Sequence, residues 1–472
     1  MKSKLIVWMI MMAVASVANA QDTKLTLQKS IETALANSIP AQQSQLTMNS
    51  AEINYKQAKY NRLPSVEGSF NYGMNSGRSI DPFTNGYINQ QLSSSSANGQ
   101  AVLPVFNGFQ LKNQIKQNEY AFATATMEWQ QKKDELTLQV ILAFLQIMNN
   151  EDGLLIATQQ ASVTRQQVDR LEIIAKEGAT LPGNVSDLKG QYAGDELAIV
   201  NAENNLETSV LALTQLMNVP YDANLKVDRS GFDSVIKMYD AMPNDIYTTA
   251  LQQLASVKAS ELRIKSSSMA VKVAAANYYP TVSLYGVLNT NYSSAASINN
   301  FNGFVEVPNG DYVNINGAPV PVITKQNKYT SQKIGYGSQF NNNLSTAYGV
   351  SVRIPIFNSF KTRSAVRLAK NEEKNNQLIA DNIKLQLRQS VEQAYINITT
   401  TYKRYMALLN QLDAYKESFR IAALRFENGA INSAEYLIAK NNVDQTNANS
   451  VAARYEYLLR TKVLDFYMGR LK

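Results

Sequence analysis

The side chains that most often carry enzymatic chemistry are missing from this sequence. Neither histidine nor cysteine occurs among its 472 residues, which removes the commonest general base, the commonest zinc ligands and one major nucleophile. No disulfide framework can form either, so an exported chain of this size is held by packing alone. A hydrolase built on Asp and Glu is the enzymatic reading that survives, and no carboxylate pair sits in a recognisable pocket motif. No cofactor or metal site is expected. The charged residues that stand out sit on alternating segments instead. Ser65, Glu67 and Ser69 alternate with Val66, Gly68, Phe70 and Tyr72, and Ser351 and Arg353 with Tyr348, Val350, Val352 and Ile354. Glu67 and Arg353 are thereby expected to face water from strands whose other face is apolar.

The chain carries an export signal. Lys2 and Lys4 precede the apolar run Leu5 to Val17, and Ala18-Asn19-Ala20 supplies small residues for cleavage, so residues 1–20 are set aside and the mature chain starts at Gln21. The competing reading, a membrane anchor, has to use a short run that ends in a cleavage pattern. No cysteine follows Ala20 to carry a lipid. No other window approaches the ~18 uninterrupted apolar residues of a spanning helix, so any membrane crossing is made by strands. The net charge of +7 is spread along helical stretches rather than gathered in runs, which fits solvated helix surfaces and gives no nucleic-acid patch.

Taken in order, Leu25 to Tyr60 reads as helix, broken at Arg62-Leu63-Pro64, where a strand begins. Gly73 to Gly99, rich in Ser, Asn and Gly, reads as an exposed loop. A short strand from Ala101 to Phe106 runs through Leu103-Pro104-Val105-Phe106-Asn107 into a long helix, about Gln110 to Glu177. A turn at Gly178 to Asn184 then returns the chain as helix to Met217. The segment 218–243 is mixed and links two halves, because from residue 244 the pattern begins again. Ala58, Asn61, Pro64 and Val66 are matched by Ala274, Asn277, Pro280 and Val282. Ile354-Pro355-Ile356-Phe357-Asn358 repeats the first strand-to-helix junction. Val391, Ala394, Tyr395 and Ile398 repeat Val140, Ala143, Phe144 and Ile147, and Gly429-Ala430 repeats Gly178-Ala179. These last three matches share one spacing, which marks an internal duplication of residues 21–217 by residues 244–472. The second long helix has no Pro or Gly between Phe360 and Gly429, which allows roughly 100 Å at about 1.5 Å per residue. The loop Ser293 to Asn343 is again rich in Asn, Gly and Ser, and its role stays open.

Two strands in each half leave a four-stranded sheet with open edges, costly in lipid at several kcal/mol per unpaired group. A barrel with a usable lumen needs about eight strands or more, so copies must associate, two giving a filled barrel of about eight strands and three a pore of about twelve. The competing architecture is an antiparallel sheet on a soluble core, and no apolar helix face of matching length is available to cover such a sheet.

With its Pro64 and Pro280 strand starts, its two junctions containing Pro104, Phe106, Pro355 and Phe357, and its hairpin turns at Gly178-Ala179 and Gly429-Ala430, the mature chain resembles the outer-membrane efflux protein family. These are the TolC-like export channels of Gram-negative bacteria. Gly77-Arg78-Ser79-Ile80-Asp81-Pro82 also resembles one branch of it. The resemblance implies a mixed α and β membrane protein: a homotrimer whose twelve-stranded outer-membrane barrel, with Glu67 and Arg353 in its lumen, continues into a periplasmic α-helical coiled-coil barrel. The implied partners are outer-membrane lipid, a periplasmic adaptor (membrane fusion protein) and an inner-membrane RND, ABC or MFS pump, in a tripartite efflux or type I secretion system that works as a passive conduit. Family members often carry two acidic residues one helical turn apart just after the last hairpin turn. Here Glu435 matches the first and Ile438 departs from the second, which leaves a single Glu435 ring, with Asp187 as a helper from the first half. A first-turn acid favoured by the helix dipole explains Glu435 equally well. The adaptor is expected at the tips Gly178, Ala179, Gly429 and Ala430, whose glycines are also the usual residues that end a helix. A secreted coiled-coil scaffold or adhesin is the alternative class. It shares the long helices without requiring amphipathic strands.

Overall fold

The computed structural model describes residues 24–80, 85–89, 91–177, 182–230 and 236–470. The signal segment, Asp81, Pro82, Gly178 and Ala179 lie outside the described residues. Contacts gather the chain into two compact units, one formed by residues up to Ile53, Asn118–Ser267 and Asn371 onward, the other by Asn54–Gln117 and Ser268–Lys370. Each unit draws on both halves of the sequence.

The elements in order are α1 (Leu27–Asn37), α2 (Ile39–Tyr60), β1 (Ser65–Asn75), β2 (Arg78–Ile80), β3 (Tyr87–Asn89), β4 (Leu92–Asn107), α3 (Gln110–Lys176) and α4 (Pro182–Met217). There follow α5 (Pro243–Gln253), α6 (Ala255–Ala275), β5 (Thr281–Ser293), β6 (Ser297–Ile315), β7 (Ala318–Lys333), α7 (Tyr336–Asn342), β8 (Ser345–Arg353), α8 (Lys361–Glu427) and α9 (Ser433–Tyr467). The first helix of the sequence reading is two helices. Ser38 leaves helical geometry because Pro40 follows in the next turn, and the Ser38 hydroxyl then accepts the Ala41 N–H to cap α2.

In the helical unit three cores hold the long helices. Val140, Phe144 and Ile147 of α3 pack with Val210 and Leu213 of α4, Ala34 of α1 and Tyr455 of α9. The matched stripe of α8, Val391, Ala394 and Ile398, packs with Ile246 and Ala250 of α5 and with Tyr457 and Leu464 of α9. A stretch of α3 is long and apolar enough to cross a membrane by composition, with mean hydropathy 1.3. Its apolarity has a local use, since Val140, Ile141, Phe144 and Leu145 are buried in that first core. The mixed segment docks on α9: the Tyr457 hydroxyl donates to the Lys237 carbonyl at 2.5 Å, and Arg229 donates to the Tyr455 hydroxyl at 2.6 Å.

In the sheet unit four strands form one antiparallel sheet in the order β1-β4-β5-β8. Two separate two-stranded ribbons, β2-β3 and β6-β7, stand beside it in the topology. Two stretches expected as loops are therefore largely strand. Leu92 to Gly99 is the outer half of central strand β4, where Ser93–Ser96 pair with Asn71–Met74 on one side and Ser94–Ser96 with Asn291–Ser293 on the other. Ladder bonds on both edges outweigh the loop-like composition. Ser293 to Asn343 holds the β6-β7 ribbon and α7. Its turn is Asn316-Gly317, both with positive φ (55° and 84°), the Asn-Gly pair that a two-residue hairpin selects.

The two strand-to-helix junctions have one geometry. Gly108 and Phe109 (φ 62° and 64°) make the first bend, Ser359 and Phe360 (φ 56° and 60°) the second. Phe106 meets Phe109 edge-on at 5.4 Å and 86°, and Phe357 meets Phe360 at 5.5 Å and 87°. The proline motifs differ. Pro104 lies inside β4 against Ser283, with a bulge before Phe106, whereas Pro355 follows the end of β8. A Cβ on Gly108 would lie 2.5 Å from the Ala276 carbonyl oxygen. Gly108→Ala therefore meets both a left-handed backbone cost and a backbone clash, and is expected to cost more than about 2 kcal/mol. Ser359→Gly removes only a strain and is expected to be neutral or stabilising by up to about 1 kcal/mol. Thermal melts of the two detergent-solubilised variants check both; equal effects would refute the crowding assigned to Gly108.

Candidate functional site

The strand register decides which side chains share a face. Directly paired residues point the same way, so the rows Glu67-Gln100-Val287-Ala347 and Ser69-Asn98-Asn289-Ser345 lie on one face of the sheet. Arg353 pairs with Thr281, and Ser351 with Ser283, on that same face. Glu67 and Arg353, at opposite edges of the sheet, thus share its polar side. The other side carries Val66, Phe70, Tyr72, Leu284, Leu288, Tyr348, Val350 and Val352, all exposed. On the polar side the Tyr285 ring lies over Gly349, where an added Cβ would sit 2.8 Å from the tyrosine oxygen. Pro64 and Pro280 stand immediately before β1 and β5.

The second candidate region lies in the helical unit, where α8 turns into α9. Gly429 has φ 71°; its N–H bonds to the Phe426 carbonyl, and the Ala430 N–H to the Arg425 carbonyl at 2.8 Å. That is a Schellman end, which accounts for glycine at this position by backbone geometry. Asn432 caps α9 by accepting the Glu435 N–H at 2.9 Å. Tyr436 is buried, stacked on Phe426 at 4.7 Å and packed beside Val168, Leu171 and Leu188, and burial pushes its hydroxyl up to about 12. Fixing Tyr436 inward turns Glu435 outward, where it lines an open groove with Phe426, Gly429, Ala430 and Ile431. Ile438, at the second acidic position, is exposed as well. Asp187 is bound by Ser433, whose hydroxyl donates to its carboxylate at 2.7 Å, while Asn184 accepts the Ser433 N–H. The first turns of α4 and α9 are thereby tied together. Arg170 and Glu427 add an exposed ion pair at 2.7 Å between α3 and α8.

Above this turn lies a polar cluster that the sequence reading passed over. Lys440 is 2% exposed and pairs with Asp195 at 3.3 Å and with Asp444 one turn along α9. Asp195 also accepts the Thr164 hydroxyl and the Gln191 amide, the latter at 2.7 Å. Three helices, α3, α4 and α9, thus share the buried Asp195 and Lys440 and the half-buried Asp444. Burial holds the Asp444 carboxyl above its ordinary value, with Lys440 opposing. The signal was available: Lys440 stands four residues after Tyr436 on the same helix face.

A sheet with one polar and one apolar face suits a boundary between water and lipid. The model of the outer membrane efflux protein family matches residues 14–219 and 246–470. The chain belongs to that family, whose members are efflux channels and not enzymes, located in the outer membrane with their helical tunnel in the periplasm. No curated protein sequence matches it. Among solved structures it is similar to a membrane protein from Pseudomonas aeruginosa, with 14% identity, a TM-score of 0.75, and coverage of 94% of this chain and 92% of that one. It is likewise similar to the CmeC outer membrane channel of Campylobacter jejuni (15% identity, TM-score 0.73, 94% and 85% covered). The outer membrane protein VceC of Vibrio cholerae is a third such structure (14% identity, TM-score 0.73, 94% and 95% covered). At this identity the likeness shows the fold.

The buried cluster generates a pH prediction. Because the folded Asp444 carboxyl sits above its ordinary value of 3.8, the folded chain takes up this proton before the unfolded one. Its contribution to stability therefore grows as pH falls from neutrality towards that value, and is lost as pH rises back through the raised one. Asp444→Asn should flatten the melting temperature against pH in that window; an unchanged slope would refute the assignment. Lys440→Met leaves two carboxylates without their cation and is expected to cost about 3–5 kcal/mol at neutral pH, recovered in part by acid.

Proposed function

We propose that the chain is the outer-membrane component of a tripartite export system, working as a homotrimeric passive conduit. The observation that carries this is the open sheet: β1 and β8 are its two edge strands, each paired on one side only. Closing β8 of one copy onto β1 of the next satisfies both edges and, with three copies, gives about twelve strands around a water-filled lumen. Glu67 and Arg353 then line the lumen, and Phe70, Tyr348 and Val350 face lipid. The same closure accounts for Ile354 and Phe357, which follow β8 and are exposed, whereas their matches in β4, Leu103 and Phe106, are paired to β5. Matching bends at Gly108-Phe109 and Ser359-Phe360 support descent of residues 21–217 and 244–472 from one duplicated unit joined by 218–243.

In this reading the helical unit forms the periplasmic tunnel, its hairpin tips at Gly178-Ala179 and Gly429-Ala430 meet a periplasmic adaptor, and an inner-membrane pump supplies the energy. Glu435 contributes one outward carboxylate per copy at the tunnel entrance, with Asp187 occupied in holding Ser433. Three carboxylates converging on an axis favour cations.

Two measurements test it. Outer-membrane extracts should give a band of trimer mass unboiled and monomer mass after boiling; monomer alone, released without detergent, would remove the channel reading. In single-channel recordings Glu435→Gln should lower cation over anion permeability by about two- to tenfold. Unchanged selectivity and conductance would reduce Glu435 to a helix-start acid.

A further inference from the structure

The four-stranded sheet carries one anion and one cation. Glu67 of β1 and Arg353 of β8 are the only charged residues in its four strands. They sit on the two edge strands, on the same polar face, and both are exposed. Within the chain neither meets the opposite sign. Glu67 lies opposite Gln100, with Asn98 and Val102 as its diagonal neighbours on β4; Arg353 lies opposite Thr281, with Ser283 diagonal on β5. At ~4.8 Å between strands, the two edges of one sheet are roughly 14 Å apart. One charge on each free edge, of opposite sign, fits a partner that brings the other edge to it.

The sequence match between the halves extends to the ladders. Ser65 with Val102, Val66 with Ala101 and Phe70 with Ala97 in β1-β4 recur at the matched positions as Thr281 with Arg353, Val282 with Val352 and Gly286 with Tyr348 in β5-β8. Every β5-β8 pair falls on a matched β1-β4 pair in this way. The two strand pairs are thus one unit in one register, used twice. Between them runs the β4-β5 seam, where Ala101 pairs with Gly286, Gly99 with Leu288, Gln100 with Val287 and Val102 with Tyr285. β8 matches β4 and β1 matches β5, so the two free edges repeat the two sides of that seam without being joined. Carried to the matched residues, the seam sets Val352 of one copy on Phe70 of the next, Val350 on Tyr72 and Ser351 on Asn71. All six are exposed in the single chain, and apolar meets apolar and polar meets polar at each position. The seam is carried no further than Asn358, since Ser359 has the Cβ for which Gly108 has no room.

We infer that the β8-β1 seam between copies repeats the β4-β5 register, and that Arg353 of each copy forms an ion pair across it with Glu67 of the next. In this register Arg353 faces Ser69 of the next copy, and Glu67 is its diagonal neighbour on the same face. Diagonal positions lie about 7–8 Å apart, within reach of a long side chain. The equivalent positions in the β4-β5 seam are Val102 and Ser283, both uncharged, so the pair belongs to seams between copies. A solvated pair adds little stability. Its effect is selective: β8 on β1 brings opposite charges together, whereas β1 on β1 or β8 on β8 puts like charges on one seam. Head-to-tail contacts of the first kind close into rings. The inference rests on the trimer proposed above.

Two measurements on the full-length protein in outer membranes test this, and the absence of cysteine leaves no background thiol. S351C is combined in turn with S69C, N71C and G73C, and each double variant is oxidised. The two edges of one chain are too far apart to bond, so a disulfide here joins copies. Opposite Cβ atoms lie about 4.5–5.5 Å apart and diagonal ones about 7–8 Å, so boiled non-reducing gels should show covalent dimer and trimer about tenfold faster from S351C/N71C than from the other two pairs. Any other order of rates, or no bonding, beside an intact unboiled trimer overturns the register and leaves the trimer standing. Absence of an unboiled trimer from the unsubstituted protein overturns the trimer itself. In the second measurement E67R and R353E should each lower the temperature at which the unboiled trimer dissociates by a few degrees, and E67R/R353E should recover most of that loss. Losses that add in the double variant, or no loss in either single one, overturn the ion pair.

Discussion

A backbone amide or carbonyl facing hydrocarbon without a partner costs several kcal/mol, and this one constraint organises the sheet unit. β4 and β5 are satisfied on both sides by their neighbours. β1 and β8 are satisfied on one side only, and their outer edges run the length of the strands. The two faces sort by polarity along the same register, so the apolar face has a place in lipid only if the edges are closed. In the proposed trimer closure and amphipathicity are one requirement: either alone would leave the sheet with a surface that neither water nor lipid suits.

The bends at Gly108-Phe109 and Ser359-Phe360 follow from that arrangement. A strand has a two-residue side-chain period and a helix one of 3.6, and the change between them here takes two consecutive left-handed residues at each junction. The first junction uses glycine where the Ala276 carbonyl and Tyr279 crowd the position; the second accepts serine. The aromatic pairs Phe106-Phe109 and Phe357-Phe360 lock the bends with nearly equal geometry. Asn107 and Asn358 then begin the helices, the one accepting the Leu111 N–H and the other donating to the Thr362 hydroxyl.

How much of this was legible in the sequence differs by region for physical reasons. Alternation in β1 and β8 placed Glu67 and Arg353 on a polar face because a half-buried or half-lipid strand writes its period into composition. The long helices were legible from uninterrupted apolar stripes, and the Pro64 and Pro280 breaks from lost donors. The Ser93–Ser96 stretch of β4 was not, because it holds its strand by ladder bonds to both neighbours rather than by side-chain preference. The β6-β7 ribbon was missed although Asn316-Gly317 carried its turn signal, because bulges between Phe301 and Phe304 and between Pro308 and Tyr312 break the alternation of β6. At the helical turn Glu435 was legible as a first-turn acid. The ties from Ser433 to Asp187 and from Lys440 to Asp195 join residues roughly 245 positions apart, and no local pattern encodes them.

The Lys440 cluster explains why the helical end holds one register. An all-apolar seam between α3, α4 and α9 would be at least as stable, since buried ion pairs roughly break even against well-packed hydrophobic residues. What charges add is a sharp dependence on register. Lys440 reaches Asp195 and Asp444 together only when α9 sits at one position against α4; a slide of one residue, about 1.5 Å, leaves a buried carboxylate unpaired. Below it, the Arg170-Glu427 pair is exposed and exchanges readily with water, whereas the Ser433-Asp187 bond comes from a buried hydroxyl. The exposed Arg170-Glu427 pair holds the turn weakly, and the buried cluster above it fixes α9 against α4.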